Sequence, residues 1–235
     1  MNPDHLRSRL LETRTRIASA ATKFGRAPDE VGLVAISKGH PADAIRVLAQ
    51  AGQVHFGENY LQEAIPKMAV LSDLDLVWHF TGQLQSNKTR AVAEHFAWVH
   101  TVDRERIAIR LNDQRPHYAS PLQVCIQVRL EDEPGKGGVA PDEVLALARR
   151  ILELPRLTLR GLMCIPPPEE TFEAQRAWFE ALAHCQRELA GQGIQTDTLS
   201  MGMSHDLEAA IAAGATWVRV GTALFGERPR VTGDG

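Results

Sequence analysis

Tyrosine is nearly absent from this sequence, and paired cysteines, long apolar runs and blocks of one charge are absent altogether. The three cysteines, Cys125, Cys164 and Cys185, are odd in number and far apart. That spacing excludes a disulfide framework and a Cys-x-x-Cys metal or redox site, leaving small buried hydrophobes in a reducing compartment. No apolar stretch approaches the roughly 18 residues that cross a bilayer. The start Met1-Asn2-Pro3-Asp4-His5 lacks the basic and then apolar regions of a secretory signal. Arg7, Arg9, Arg14 and Arg16 hint at organelle targeting, yet Asp4 and Glu12 interrupt them, and Leu6, Leu10, Ile17 and Ala21 form an ordinary amphipathic stripe. The net charge of −3 comes from interspersed residues, with no basic block or aromatic-basic ladder to track a nucleic acid. The expectation is a cytoplasmic protein that binds neither membrane nor nucleic acid.

What the sequence does have is alternation. A long amphipathic helix is predicted from Pro3 to about Phe24, with Gly25 as its stop. Short β-rich runs follow near 33–37, 54–57, 77–81, 97–101, 122–128, 158–163, 197–200 and 217–221, each succeeded by a helical stretch. Eight strand-helix units in series describe an α/β protein, a single (β/α)8 TIM-like barrel with an extra N-terminal helix; a doubly wound open sheet is the rival. One domain is expected over residues 1–228 and a flexible tail over 229–235. The run from Glu131 to Gly138, rich in glycine, reads as a mobile connection on the rim. His55, His79 and His100 sit at or near strand ends, where a barrel could gather them around a metal. The paired His-x-His that metal-dependent barrels place after the first strand is replaced by Ser37-Lys38-Gly39-His40, so no metal is expected.

Lys38 carries the most chemistry. It ends the apolar run Val31 to Ser37, just before Pro41 opens a helix, and the carboxyl end of a buried parallel strand is where such folds collect their active groups. An amine held there among apolar neighbours is pushed towards its neutral, nucleophilic form, which forms Schiff bases. The alternative is a strand-end lysine that reaches to solvent.

Two turns suit a phosphate. Ser200-Met201-Gly202-Met203-Ser204 leaves the seventh strand and offers Ser204 as the N-cap of a helix. In the eighth unit, Gly221 lets the backbone approach a ligand and Thr222 can cap a short helix. Backbone N–H groups and hydroxyls at such turns hold a dianion, and loops after strands seven and eight form the recurring phosphate site of these barrels. On strand eight, alternation puts Trp217, Arg219 and Gly221 on one face and Val218 and Val220 on the other. Arg219 therefore points inward, where its charge needs an acceptor, either a neighbouring acid or a ligand.

These residues resemble the pyridoxal phosphate homeostasis proteins, single-domain relatives of the alanine racemase barrel. The resemblance runs from Leu33 to Arg228. It rests on Ala35 to Lys38 with Pro41, His55 to Glu63, Trp78 to Lys88, Gly161 to Pro166, Leu199 to Ser204 and Val218 to Gly226. It implies pyridoxal 5′-phosphate held as an aldimine on Lys38, with Asn59 near the ring and Ser200, Ser204, Gly221 and Thr222 on the phosphate. It also places Met201 among the cofactor-binding residues and Arg219 at the pyridine nitrogen. An arginine there donates, leaving that nitrogen unprotonated and the cofactor a poorer electron sink. The family often has a threonine where Gly39 stands, Gln-x-Asn where Gln127-Val128-Arg129 stands, and a small or acidic residue at His205. The implied role is cofactor homeostasis without an assigned catalytic residue, since neither Tyr60 nor Tyr118 is placed as a second base. Cofactor-dependent apo-enzymes are possible recipients, and a monomer is expected over a dimer. The alternatives are an amino-acid racemase-like enzyme with Lys38 as a one-face base, and a cofactor-free Schiff-base aldolase.

Overall fold

Strand and helix alternate along the chain because apolar runs of period two and stripes of period 3.6 alternate in the sequence. The computed structural model describes residues 2–131 and 137–227. Its strands are β1 (Gly32–Ile36), β2 (His55–Glu58), β3 (Val77–Phe80), β4 (Trp98–Val102), β5 (Leu122–Gln127), β6 (Leu157–Met163), β7 (Thr198–Ser200) and β8 (Trp217–Val220). All are parallel and close into a barrel in chain order, which settles the choice against an open sheet. Closure is made where Leu33 lies opposite Val218 and Val34 opposite Arg219.

Helix α1 (Pro3–Lys23) precedes the barrel and buries Leu6, Leu10, Ile17 and Ala21, the stripe expected from its sequence. The helices after successive strands are α2 (Ala42–Gln50), α3 (Leu61–Val70), α4 (Thr89–His95), α5 (Glu105–Gln114), α6 (Val144–Leu152), α7 (Phe172–Gly191), α8 (Leu207–Ala212) and α9 (Thr222–Phe225). Most of the apolar core lies between strands and helices. Leu33, Ala35, Phe56, Phe80, Val99, Leu199, Val218 and Val220 face outward into it. The inward alternation carries a different population: Trp98, Cys125 and Met163 form a small cluster, and His79, His100, Ser200 and Arg219 are buried polar groups.

Three sequence expectations are corrected at the turns. The helix that Ser204 is expected to cap begins at Leu207, with Asp206 at its N-cap position; Ser204 lies two residues upstream of that position. Asp206 Oδ1 instead accepts from the Met203 N–H at 2.6 Å and closes the turn. Gly221, not Thr222, holds the N-cap position of α9. The helical stretch after β2, expected near 59–70, begins at Leu61, because Tyr60 is extended and leaves Asn59 at the strand end. Residues 132–136 of the glycine-rich connection and the 229–235 tail lie outside the described residues.

Candidate functional site

A cavity of about 210 Å³ opens at the carboxyl end of the barrel, and Lys38, Asn59, Ser204, Arg219, Gly221 and Thr222 line it. Five elements or their loops supply these side chains, so the site exists only because the barrel closes. Val34 pairs with inward-facing Arg219, and continuing that alternation along the chain puts Ile36 and then Lys38 on the inner side. The pocket wall includes both Ile36 and Lys38. Asn59 is oriented by Thr81, whose hydroxyl donates to Asn59 Oδ1 at 2.9 Å.

The backbone beside Lys38 is braced from behind. Glu58 faces outward from β2, fully buried, and its Oε1 accepts from Ser37 Oγ at 2.6 Å and from Lys67 Nζ at 2.6 Å. Lys67 also donates to the Ser37 carbonyl at 2.9 Å, and Glu63 Oε2 accepts the Gly39 N–H at 2.7 Å. Both neighbours of Lys38 are thus tied to α3. Burial raises the Glu58 carboxyl above its ordinary range, against the opposing pull of Lys67 and Ser37.

The two turns meet. The Ser204 hydroxyl accepts the Ala223 N–H at 3.4 Å, joining the loop after β7 to the start of α9. Among the described residues the N–H groups of Ser204, His205, Gly221 and Thr222 find no acceptor, so the turns present open donors. Gly202 is required below them: its φ is +95°, and a Cβ there would sit 2.5 Å from that of Ala210. Gly221 runs close under β1, where a Cβ would lie 3.3 Å from the Ile36 carbonyl oxygen.

Ser200 and Met201 are not on this wall. Ser200 is fully buried inside the barrel, accepting from Arg219 Nη1 at 2.8 Å and meeting His100 Nδ1 at 2.7 Å. The Met201 side chain lies in the core and its N–H is spent on the Trp217 carbonyl at 3.0 Å. Inward alternation on a short β7 carries Ser200 below the mouth, and neither residue is among those that line the cavity. The pocket wall adds residues that sequence reading left without a role: Thr81, Ile165, Met203 and His205. Thr81, one residue past β3, was visible as a strand-end polar group. Tyr118 is exposed on the surface, and Tyr60 lines a neighbouring cleft of about 350 Å³ that shares Asn59.

Arg219 donates from Nη2 to the Cys164 carbonyl at 2.9 Å, and no carboxylate is paired with it among the described residues. The thiols of Cys125 and Cys164 are pushed up to about 12 by burial, so neither supplies a counter-charge. A buried guanidinium held by neutral acceptors favours an acceptor on a ligand. His55, His79 and His100 are gathered inside the barrel, but their nitrogens meet each other at 3.0 Å and 2.8 Å. No group of metal-ligating residues is found among the described residues.

A closed parallel barrel with a lysine after β1, an inward arginine on β8 and joined turns after β7 and β8 is a protein of the alanine racemase N-terminal-domain class. The model of that domain family matches residues 14–229. An alanine racemase from Clostridium difficile shares the fold at a TM-score of 0.72 and 16% identity, over 97% of this chain and 58% of that one. Nearer relatives cover the whole length. The chain is 54% identical over 219 residues to the pyridoxal phosphate homeostasis protein of Pseudomonas aeruginosa, spanning 93% of this chain and 94% of that protein. It is 52% identical to that of Escherichia coli K12, spanning 93% and 95%. The structure of PipY from Synechococcus elongatus with PLP bound matches at a TM-score of 0.83 and 42% identity, over 94% of this chain and all of that one. The chain belongs to the pyridoxal phosphate homeostasis protein family.

Proposed function

We propose that this protein binds pyridoxal 5′-phosphate covalently through Lys38 and serves vitamin B6 homeostasis as a carrier. The observation that carries this reading is the convergence of an amine, a buried arginine without a carboxylate partner and open backbone donors on one cavity of about 210 Å³. The residues fit the group. Ser204, Gly221 and Thr222 would hold its phosphate, Asn59 would flank its ring, and Arg219 would donate to its ring nitrogen. When bound, the cofactor supplies an aldehyde that condenses with amines and a conjugated ring that absorbs visible light. Lys38 provides the amine, and the brace on Ser37 and Gly39 keeps that amine at the mouth. Arg219, always protonated, keeps the ring nitrogen as an acceptor, which disfavours carbanion chemistry. The relative whose structure holds bound PLP supports the reading.

The test is to add pyridoxal 5′-phosphate, reduce with borohydride and map the mass increase by peptide analysis. The increase should fall on Lys38, and the aldimine band should be lost in Lys38→Ala. A mass increase elsewhere, with Lys38→Ala indistinguishable from wild type, refutes the reading.

The racemase-like alternative is addressed by α-proton exchange of amino acids in heavy water with loaded protein. His205, a titratable side chain on the same wall, is the observation that keeps it worth testing. Cofactor-dependent apo-enzymes are the proposed recipients, and the proposed carrier is a cytoplasmic monomer. The three buried thiols suit a reducing compartment, and no described helix is long and apolar enough to cross a membrane.

A further inference from the structure

Barrel interiors are ordinarily filled by branched aliphatic side chains. Here the layer beneath the pocket is a file of polar groups drawn from five strands. His55 Nδ1 lies 3.0 Å from His79 Nε2, and His79 Nδ1 lies 2.8 Å from His100 Nε2. His100 Nδ1 lies 2.7 Å from Ser200 Oγ, which Arg219 Nη1 meets at 2.8 Å. His79, His100 and Ser200 are fully buried, while His55 is partly exposed at the opposite mouth.

The direction of this file follows from donor and acceptor inventory. A guanidinium only donates, so Ser200 Oγ accepts from Arg219. Its hydroxyl has one proton, and its other polar neighbour among the described residues is His100 Nδ1, so Ser200 donates there. Burial and the nearby arginine hold His100 down at about 3, so the ring is neutral and carries its proton on Nε2. That proton is donated to His79 Nδ1. By the same rule His79 donates from Nε2 to His55 Nδ1, and His55 keeps its proton on Nε2. Reversing His79 would set N–H against N–H towards His100 and lone pair against lone pair towards His55; reversing His100 would set its N–H against the Ser200 O–H, and reversing His55 would set its N–H against that of His79. The file ends in a recess of about 580 Å³ lined by residues that include Arg14, Asp29, Gln53, His55 and Trp217.

We propose that Ser200, His100, His79 and His55 are positioning residues, forming a one-way hydrogen-bond relay that fixes Arg219 and makes its hold on a ligand acceptor depend on a histidine at the far mouth. Successive donors polarise one another, so the Ser200 oxygen accepts more strongly because its own proton is engaged. A proton taken up by His55 can sit only on Nδ1, where the His79 N–H already points. Relief requires inverting every ring, after which two donors face the Ser200 oxygen and its proton has no acceptor. The charged groups near the file are Arg219 at its inner end with Asp206 acting on it through space, Arg14 and Asp29 at the recess, and Arg160, which lies over the Trp98 ring that stacks on His79 and is paired with Asp197. No carboxylate is hydrogen-bonded to any of the three rings among the described residues.

The tautomers are independent of the proposed cofactor; only the identity of the acceptor met by Arg219 rests on that reading. Two measurements on the full chain test the relay. In the ¹⁵N-histidine protein without added ligand, long-range ¹H–¹⁵N spectra should show His55, His79 and His100 as neutral Nε2–H tautomers. An Nδ1–H tautomer or an imidazolium at His79 or His100 at neutral pH overturns the relay. The second compares His55→Leu, which removes the last acceptor, with His55→Gln, whose Oε1 replaces it. Pyridoxal 5′-phosphate should bind His55→Leu about fivefold more weakly, the equivalent of one net hydrogen bond, with a shifted visible band, and His55→Gln should restore both. Circular dichroism confirms that each variant is folded. Wild-type affinity and an unshifted band in folded His55→Leu overturn the relay. No binding by wild type overturns the cofactor reading instead, and the tautomer pattern then decides the relay alone.

Discussion

Lys38 and Arg219 stand on neighbouring strands and face one cavity, yet the protein holds them in opposite ways. Lys38 is fixed through its backbone, by an ionic cluster of Glu58, Lys67 and Glu63 on the outer side of the barrel. Arg219 is fixed through its side chain, by neutral acceptors on the inner side. The difference matches what each group must do. A nucleophilic amine needs a firm base, because the position of its backbone sets where it can meet a partner. A planar fork that recognises one acceptor works only if its plane is preorganised.

The sharpest way to separate the two is to delete the amine. Lys38→Ala should abolish borohydride-stable retention of pyridoxal 5′-phosphate while leaving the Arg219 side intact, so reversible binding should persist, read by equilibrium dialysis. Equal losses of both would show that the two sides act as one unit.

Next in size is the brace. Lys67→Met leaves the buried Glu58 carboxylate without its cation and should cost about 3–5 kcal/mol in urea unfolding, as broken buried pairs do. Adding Glu58→Gln should recover most of that loss, because the remaining amide carries no charge. Recovery of less than half would mean that Lys67 acts mainly through the Ser37 carbonyl.

The first side was more legible in the sequence than the second. Alternation around β1 and the strand-end position of Lys38 are local signals, and so are the capping residues near Ser204 and Gly221. The barrel followed from eight such units. Met201 and Ser200 fall outside the cavity lining, which the motif could not show because it gives residues without saying how far below the mouth each one sits. The three histidines were legible as strand-end residues, but their link to Ser200 left no local trace, since the contact between His100 and Ser200 joins residues 100 positions apart. Period two says that His79 and His100 face inward; only the stagger of the closed barrel brings their nitrogens together.

Ser200→Ala tests the inner side at smaller magnitude. It strips one acceptor from Arg219 and one donor from His100, both buried, and should cost about 1–3 kcal/mol. Stability in urea measures the cost, and the His100 tautomer should become mixed in the same ¹⁵N spectra. A cost within a few tenths of a kcal/mol, comparable with an ordinary surface substitution, would mean that Arg219 is held by Cys164 alone.

The smallest effect separates the two sides by sign. Burial lowers His79, His100 and His55 below the ordinary imidazole value of 6.5. The unfolded chain therefore binds more protons than the folded one below that value, and the stability they contribute above it is lost as pH falls, for His100 down to about 3. Glu58 is raised from 4.5, so the folded chain binds the extra proton. Its contribution is fully present below 4.5 and is lost as pH rises through the raised value. Above 4.5, and as far as the raised Glu58 value, the two slopes oppose each other. Glu58→Gln removes the opposing slope, so its stability should fall more steeply on acidification than wild type towards 4.5. The steepening is bounded at about 1.4 kcal/mol per pH unit, the value for one proton. Other titrating groups are shared by both proteins and cancel in the difference. Parallel urea series at several pH values measure it, and a wild-type slope unchanged by Glu58→Gln would place the Glu58 proton outside the folding equilibrium and leave the acid response to the histidine file.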